Sequence, residues 1–282
     1  MPAQSVRIAA VQMDPKLGDI AANRRAILQH LGEAAKNGAS LVAFPECALT
    51  GYGFASRVEA LASAEPIPGQ SVALIAQACA TLGTFCVFGL LEADGDRLFN
   101  ACVLVGPEGL VGSYRKIHLP FVGVDRFADP GDRPFAVHEA NGLRIGMHIC
   151  YDGAFPESAR VLTLLGADLL ILPTNWPTHS ETAAEHMMSC RALENVVYTM
   201  AVDRVGVESG FEFIGRSSIT DTAGNRLAFA SVDREEILYA DIEPAKARAK
   251  KLIRRPGLHE VDRIGDRRPS FYDLICEPNG RA

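Results

Sequence analysis

Short runs of apolar, often β-branched residues alternate along the chain with segments whose apolar positions recur every three or four residues. The first pattern predicts buried strands and the second amphipathic helices. In the first half the pattern predicts strands over 6–13 and 41–44. It predicts a helix over 23–37, with Ile27, Leu28, Leu31, Ala34 and Ala35 on one stripe, and a second helix over 71–82. Further strands fall over 85–91, 102–105 and 109–114, the first two separated by the turn-like Asp94, Gly95 and Asp96. Gly38 and Gly83 stand where a left-handed glycine stops a helix. The second half repeats the theme, with a strand over 144–149, a helix over 156–165, a nearly pure apolar strand over 169–172 and a longer helix over 182–195. Strands over 197–202, 217–220 and 237–242 follow, with hairpin chemistry at 222–225. Each half therefore reads as βαβ followed by hairpins. The expectation is one compact α/β domain with two sheets over 1–282, because no Gly/Ser- or Pro-rich linker and no short-period repeat divides it. The tail from about residue 246 is basic, but Glu260, Asp262 and Asp266 are interleaved. With Phe271, Tyr272 and Leu274, it is expected to pack on its own domain or on a second subunit.

Composition narrows the function classes. The 282 residues are 48% apolar and 22% charged, as in an ordinary globular protein, and the formal net charge of −6 argues against a nucleic-acid binder. No run approaches the ~18 apolar residues of a membrane span. The start, MPAQSVRIAAVQMD, lacks the apolar stretch and cleavage site of a signal peptide, so a cytoplasmic location is expected. The seven cysteines include no CxxC pair and no Cys/His group with zinc spacing, so neither a disulfide framework nor a zinc site is expected. Most read as small buried hydrophobes.

Three segments place a reactive side chain where an apolar strand ends. Glu46 closes the run LVAFPE, at the edge of a sheet where ligand sites gather, and burial there would raise its pKa and suit it to base chemistry. Cys150 ends the run LRIGMHIC and is followed almost at once by a helix. That strand–turn–helix order resembles a nucleophile elbow, with backbone N–H groups near the side chain. Arg115 and Lys116 lie in GSYRKIHLP; in extended chain they point to opposite faces, so one can face a site while the other pairs elsewhere. His118 and His148 are the candidate partners for a Cys–His pair, and His148 shares a strand face with Cys150. Such a pair leaves Glu46 and Lys116 without a role.

Taken together, FPE at 44–46 with TGY at 50–52, YRKIHLP at 114–120 and ICYDGAFPE at 149–157 resemble the nitrilase, or carbon–nitrogen hydrolase, superfamily in content, order and spacing. The resemblance implies a four-layer αββα sandwich and a Glu–Lys–Cys triad, here Glu46, Lys116 and Cys150. It implies cysteine-dependent hydrolysis of a small linear amide or N-carbamoyl compound through a thioester, without metal or organic cofactor. Lys116 and a backbone N–H, that of Tyr151, would hold the oxyanion, and His148 would have no proton-transfer role.

One departure from the family pattern stands out. Where many members carry a second Glu, this chain has Asp125, one methylene shorter, as the nearest match. Asn175 and Trp176, the chain's single Trp, are candidate substrate contacts, with Tyr52 as a further one. The resemblance also implies a homodimer or larger homo-oligomer, with the helix over 182–195 and the tail near 268–274 in the interface. Tyr151 and Asp152 replace the Trp and Glu usual after the nucleophile of true nitrilases, which disfavours a nitrile substrate. Acyl transfer from the same thioester would need an acceptor pocket. A non-catalytic interaction protein retaining the fold is the other class, disfavoured because unpaired buried polar groups are destabilising.

Overall fold

Period-two alternation assigns each central strand two buried faces. In the computed structural model, which describes residues 5–277, Ile8 and Ala10 of the first strand turn toward the second sheet, while Ala9 and Val11 turn toward helices. The ends of the expected 1–282 domain, 1–4 and 278–282, lie outside the described residues.

In the first half the elements are β1 (Val6–Gln12), α1 (Ile20–Lys36), β2 (Leu41–Ala43), α2 (Arg57–Ala62), α3 (Gln70–Leu82), β3 (Phe85–Asp94), β4 (Arg97–Gly106) and β5 (Gly109–Arg115). The second half has β6 (Val137–Ala140), β7 (Leu143–Met147), α4 (Pro156–Leu164), β8 (Leu169–Pro173), α5 (Met188–Asn195) and β9 (Tyr198–Val202). It continues with β10 (Val207–Glu208), β11 (Phe211–Glu212), β12 (Ser218–Thr220), β13 (Arg226–Phe229), β14 (Glu236–Ile242), α6 (Pro244–Arg248), β15 (Lys251–Arg255) and β16 (His259–Asp262).

Two six-stranded sheets result, ordered β14-β1-β2-β3-β4-β5 and β13-β12-β9-β8-β7-β6. Their centres are parallel, β1 with β2 and β3, and β7 with β8 and β9. The sheets bury a shared core that includes Ile8, Leu41, Val87, Ile145, Ile171 and Met200. On the outer face of the first sheet, Ile27 and Leu31 of α1 and Val72 and Ile75 of α3 pack against Val42, Phe88 and Val103. On the outer face of the second, Ala159 and Leu162 of α4 pack against Leu170 and Val197. The layers are therefore α, β, β, α, as the sequence resemblance implied.

Several boundaries differ from the sequence expectation for identifiable reasons. Helix α1 begins at Ile20, three residues early, because the Asp19 carboxylate accepts the Ala22 N–H at 2.9 Å and caps the helix. Strands β3 and β4 run on as one hairpin to the pair Asp94 and Arg97, because their outer halves carry Glu92 and Asn100, polar residues that find buried partners. The expected helix over 182–195 opens with a π-helical turn, Ala183–Met187, before α5. The short α2 and β6 carry too few apolar residues to give a periodic signal.

The tail crosses the helices of the second half. Arg263, Arg267, Pro269, Tyr272 and Ile275 line one cavity with Pro156, Val161 and Leu164 of α4. Its root is pinned by Arg248, which donates to Asp168 at 2.7 Å. Among the described residues, no helix is long and apolar enough to cross a membrane.

One glycine sets how closely β3 can approach the loop that carries Glu46. A Cβ on Gly89 would lie 2.4 Å from the Cys47 nitrogen and 2.7 Å from the Glu46 Cα, both backbone atoms that cannot swing aside. Gly89→Ala is therefore expected to destabilise the protein by about 1–3 kcal/mol. Urea unfolding checks the loss, and activity should fall with it because the loop is displaced.

Candidate active site

The residues singled out in the sequence, joined by Asp203, which was not, converge at the carboxyl ends of the parallel strands, the edge where α/β sheets place ligand sites. Glu46 follows β2, Lys116 follows β5, Cys150 follows β7, Asn175 and Trp176 follow β8, and Asp203 follows β9. Glu46, Lys116 and Asp125 form one fully buried ion cluster. The Lys116 ammonium donates to Glu46 Oε1 at 2.7 Å and to Asp125 Oδ2 at 2.6 Å, all three side chains having 0% exposure. Asp125 thus touches the lysine directly, and its shorter side chain reaches because the loop carrying it folds in as a 3-10 turn, Gly123–Arg126. Gly123 opens that turn at φ +51, and a Cβ there would meet the Tyr52 ring at 2.1 Å. The Tyr52 hydroxyl can therefore pass close over the turn and donate to Asp125 Oδ2 at 2.9 Å.

Asn100 escaped the sequence reading and completes the cluster. Its amide nitrogen donates to Glu46 Oε1 at 2.7 Å and to Asp125 Oδ1 at 2.8 Å, holding the two carboxylates on either side of the lysine. The available signal was a single amide within the apolar run of β4. Glu46 Oε2, buried, has no partner and is the open acceptor of the cluster. Burial, reinforced by Asp125, raises the Glu46 pKa, although Lys116 and Asn100 oppose the shift. Burial alone would lower the Lys116 pKa, but Asp125 and Glu46 together hold it well above its ordinary value. Arg115 turns to the opposite face as extended chain requires, donating to Glu92, Asp94 and Asp132.

Cys150 opens a 3-10 turn, Cys150–Ala154, between β7 and α4, with φ +46, a backbone conformation rarely adopted by a side-chain-bearing residue. Burial and the nearby Glu46 raise its thiol pKa, whereas Lys116, the Thr174 hydroxyl and the Asn175 backbone N–H favour the thiolate. His148 does not supply a base. Its Nδ1 lies 3.1 Å from the Ser158 hydroxyl, and burial lowers its pKa to about 4. Tyr151 is half-exposed and packs edge-on against Phe155. Trp176 is part of the core between the sheets. Both side-chain polar atoms of Asn175 are buried without a partner.

Two clamps that were not legible in the sequence hold these loops in register. Asp152 Oδ2 accepts from the Ile149 N–H at 2.9 Å and the Tyr114 hydroxyl at 2.8 Å; its Oδ1 accepts from the His118 N–H at 3.1 Å and lies 2.7 Å from His118 Nδ1. Tyr114 and His118 flank Lys116, so one buried carboxylate ties the cysteine turn to the lysine strand. The second clamp is Glu208, whose Oε1 accepts from the N–H groups of Tyr52 at 2.8 Å and Gly53 at 2.7 Å. Its other oxygen pairs with Arg204 at 2.9 Å, and Arg204 also reaches Asp14 at 2.9 Å.

Asp152→Asn should lower stability by about 1–3 kcal/mol, since the amide cannot accept all these donors. Burial opposes ionisation of Asp152, but its hydrogen bonds from His118 and Ile149 win, and its folded pKa lies below 3.8. Its contribution is therefore present above the unfolded carboxylate pKa and lost as pH falls through the folded value. Unfolding curves should separate wild type from variant at neutral pH and draw together in acid below the ordinary carboxylate range.

The family model described as "Carbon-nitrogen hydrolase" matches residues 7–251. A nitrilase of Pyrococcus abyssi is 40% identical over 269 residues, covering 95% of this chain and 99% of the relative. An (R)-stereoselective amidase of a Pseudomonas species is 32% identical over 280 residues, covering 98% and 97%. Among solved structures, an amidase from Nesterenkonia sp. superposes with a TM-score of 0.81 at 22% identity, covering 98% of each chain. With a family match spanning most of its length, this chain belongs to the carbon–nitrogen hydrolase family.

Proposed function

We propose that the chain hydrolyses the C–N bond of a small linear amide or N-carbamoyl compound, with Cys150 as nucleophile, Glu46 as proton carrier and Lys116 as oxyanion donor. The observation that carries this reading is the open, buried Oε2 of Glu46 beside a lysine whose charge is fixed by two carboxylates. Glu46 takes the thiol proton as the sulfur attacks the carbonyl carbon. An ammonium has three donors. Two serve Glu46 and Asp125, and the third faces the developing oxyanion together with the Tyr151 backbone N–H. The C–N bond breaks as Glu46 returns the proton to the leaving nitrogen, so that ammonia or an amine departs and a thioester remains. Glu46 then takes a proton from water as the oxygen attacks the thioester; the C–S bond breaks, the acid leaves, and Glu46 returns the proton to the sulfur, restoring thiol and carboxylate. Tyr52 and Asp125 position the lysine, and Asn175 and Trp176 line the acyl side. In a variant of the Nesterenkonia amidase, the acetamide moiety of fluoroacetamide is covalently added at the active-site cysteine, so the sulfur of that relative is a nucleophile, the role proposed here for Cys150.

The seven free cysteines suit a reducing compartment, the cytoplasm. A homo-oligomer is favoured by the large apolar side chains left exposed on α4 (Val161 and Leu164), on α5 (Leu193) and on the tail (Phe271 and Leu274). Sedimentation velocity should give a species larger than the monomer.

Ammonia release from amides, N-carbamoyl compounds and nitriles is the test. Cys150→Ala should abolish turnover, and Lys116→Met should lower kcat by on the order of 100-fold or more, as for loss of an oxyanion donor. Because the Glu46 pKa is raised, kcat/KM should fall on the acid side with a midpoint above the usual 4.5 of a glutamate. Turnover unaffected by Cys150→Ala would remove this reading.

A further inference from the structure

Charge balance at the site bears on which acyl groups it can accept. Lys116 is shared between Glu46 and Asp125, and a third carboxyl group, Asp203, is fully buried nearby. Asp203 Oδ1 accepts from the Trp176 N–H at 3.0 Å and the Arg204 N–H at 2.9 Å, while its Oδ2 has no partner. Arginines of the surrounding loops are each paired with other groups, Arg216 with Glu185 among them. Arg115 is held by Glu92, Asp94 and Asp132; Arg204 by Asp14 and Glu208; Arg191 by Glu194 and the carbonyls of Gly153 and Ala154. The one buried ammonium is thus committed to two carboxylates, and Asp203 adds a third buried carboxyl group and no cation. A carboxylate entering with the substrate would lose its water without gaining a counter-ion, which is strongly unfavourable in a buried site.

Asn175 offers the complementary chemistry. It is 3% exposed, its backbone N–H faces the Cys150 sulfur, and both its amide oxygen and its amide nitrogen are buried and unpartnered. A side chain presenting one acceptor and a pair of donors is matched by a neutral group with the same pair of functions. Leaving both ends unmatched in a permanent site would be destabilising, so they are best accounted for by a ligand.

We propose that the acyl portion of the substrate is uncharged and carries a neutral hydrogen-bonding group that pairs with the Asn175 amide, and that the site rejects acyl chains ending in a carboxylate. This rests on the hydrolase reading above, and the test separates the two. Succinamide and succinamate are near-isosteric and differ in one terminal NH2 against O−. Wild-type kcat/KM should favour succinamide by about 100-fold or more, the order expected for an unpaired buried charge. In Asn175→Leu, the ratio of kcat/KM for succinamide to that for propionamide, which lacks the terminal group, should drop by about 10-fold. Equal or faster turnover of succinamate would overturn the proposal, as would an unchanged ratio in Asn175→Leu. If wild type hydrolyses none of these amides, the hydrolase reading loses its support. Calorimetric titration of both ligands into Cys150→Ala then decides the present one: tighter binding of succinamide supports it, whereas equal or tighter binding of succinamate, or no binding of either, overturns it.

Discussion

A lysine ammonium without access to water must be neutralised by its surroundings, and the Lys116 site is arranged around that constraint. Two carboxylates at 2.6–2.7 Å hold the charge where burial alone would remove it. The carboxylates need support in turn, since two acids beside one cation repel each other. Asn100 bridges them and Tyr52 donates to Asp125. The same arrangement leaves one Glu46 oxygen unpartnered and raises its proton affinity. In the proposed mechanism that oxygen is the base, so stabilisation of the lysine and preparation of the base come from one set of contacts.

The fold serves this cluster by bringing the ends of distant strands together. Glu46, Lys116 and Cys150 lie on three different strand ends in two sheets. Glu46 and Lys116 belong to one sheet and Cys150 to the other, so neither sheet alone sets the cysteine against the ion cluster. Asp152 joins the cysteine turn to the lysine strand, and the Arg204–Glu208 pair joins the turn after β9 to the loop bearing Tyr52. These buried clamps cross between the two halves of the sandwich, which explains why charged residues are tolerated there: each is multiply hydrogen-bonded.

Much of this was legible in the sequence because its cause is local. Short apolar, β-branched runs marked the strands, helical stripes marked α1 and α3, and glycines at 38 and 83 marked their ends. Glu46, Lys116 and Cys150 stood out because each reactive side chain ends an apolar run. The opposite orientations of Arg115 and Lys116 followed from extended geometry. Asn100, Asp152 in its clamping role, Asp203 and Glu208 were not legible, because each takes its role from partners in other elements, some far along the chain. The early start of α1 was missed for a milder reason, since Asp19 acts as a cap only once the chain turns at that point. Trp176, conspicuous as the single Trp, packs in the same buried cluster as Cys150.

The central claim is that this ion cluster makes Cys150 a nucleophile that carries the acyl group. Rapid acid quench during steady-state turnover of an amide, followed by intact mass and peptide mapping, tests it most directly. The account predicts an acyl increment on the peptide containing Cys150, appearing with substrate and absent after turnover ends. Sustained turnover with no covalent intermediate on Cys150, or with the acyl group on another residue such as the exposed Cys190, would contradict it.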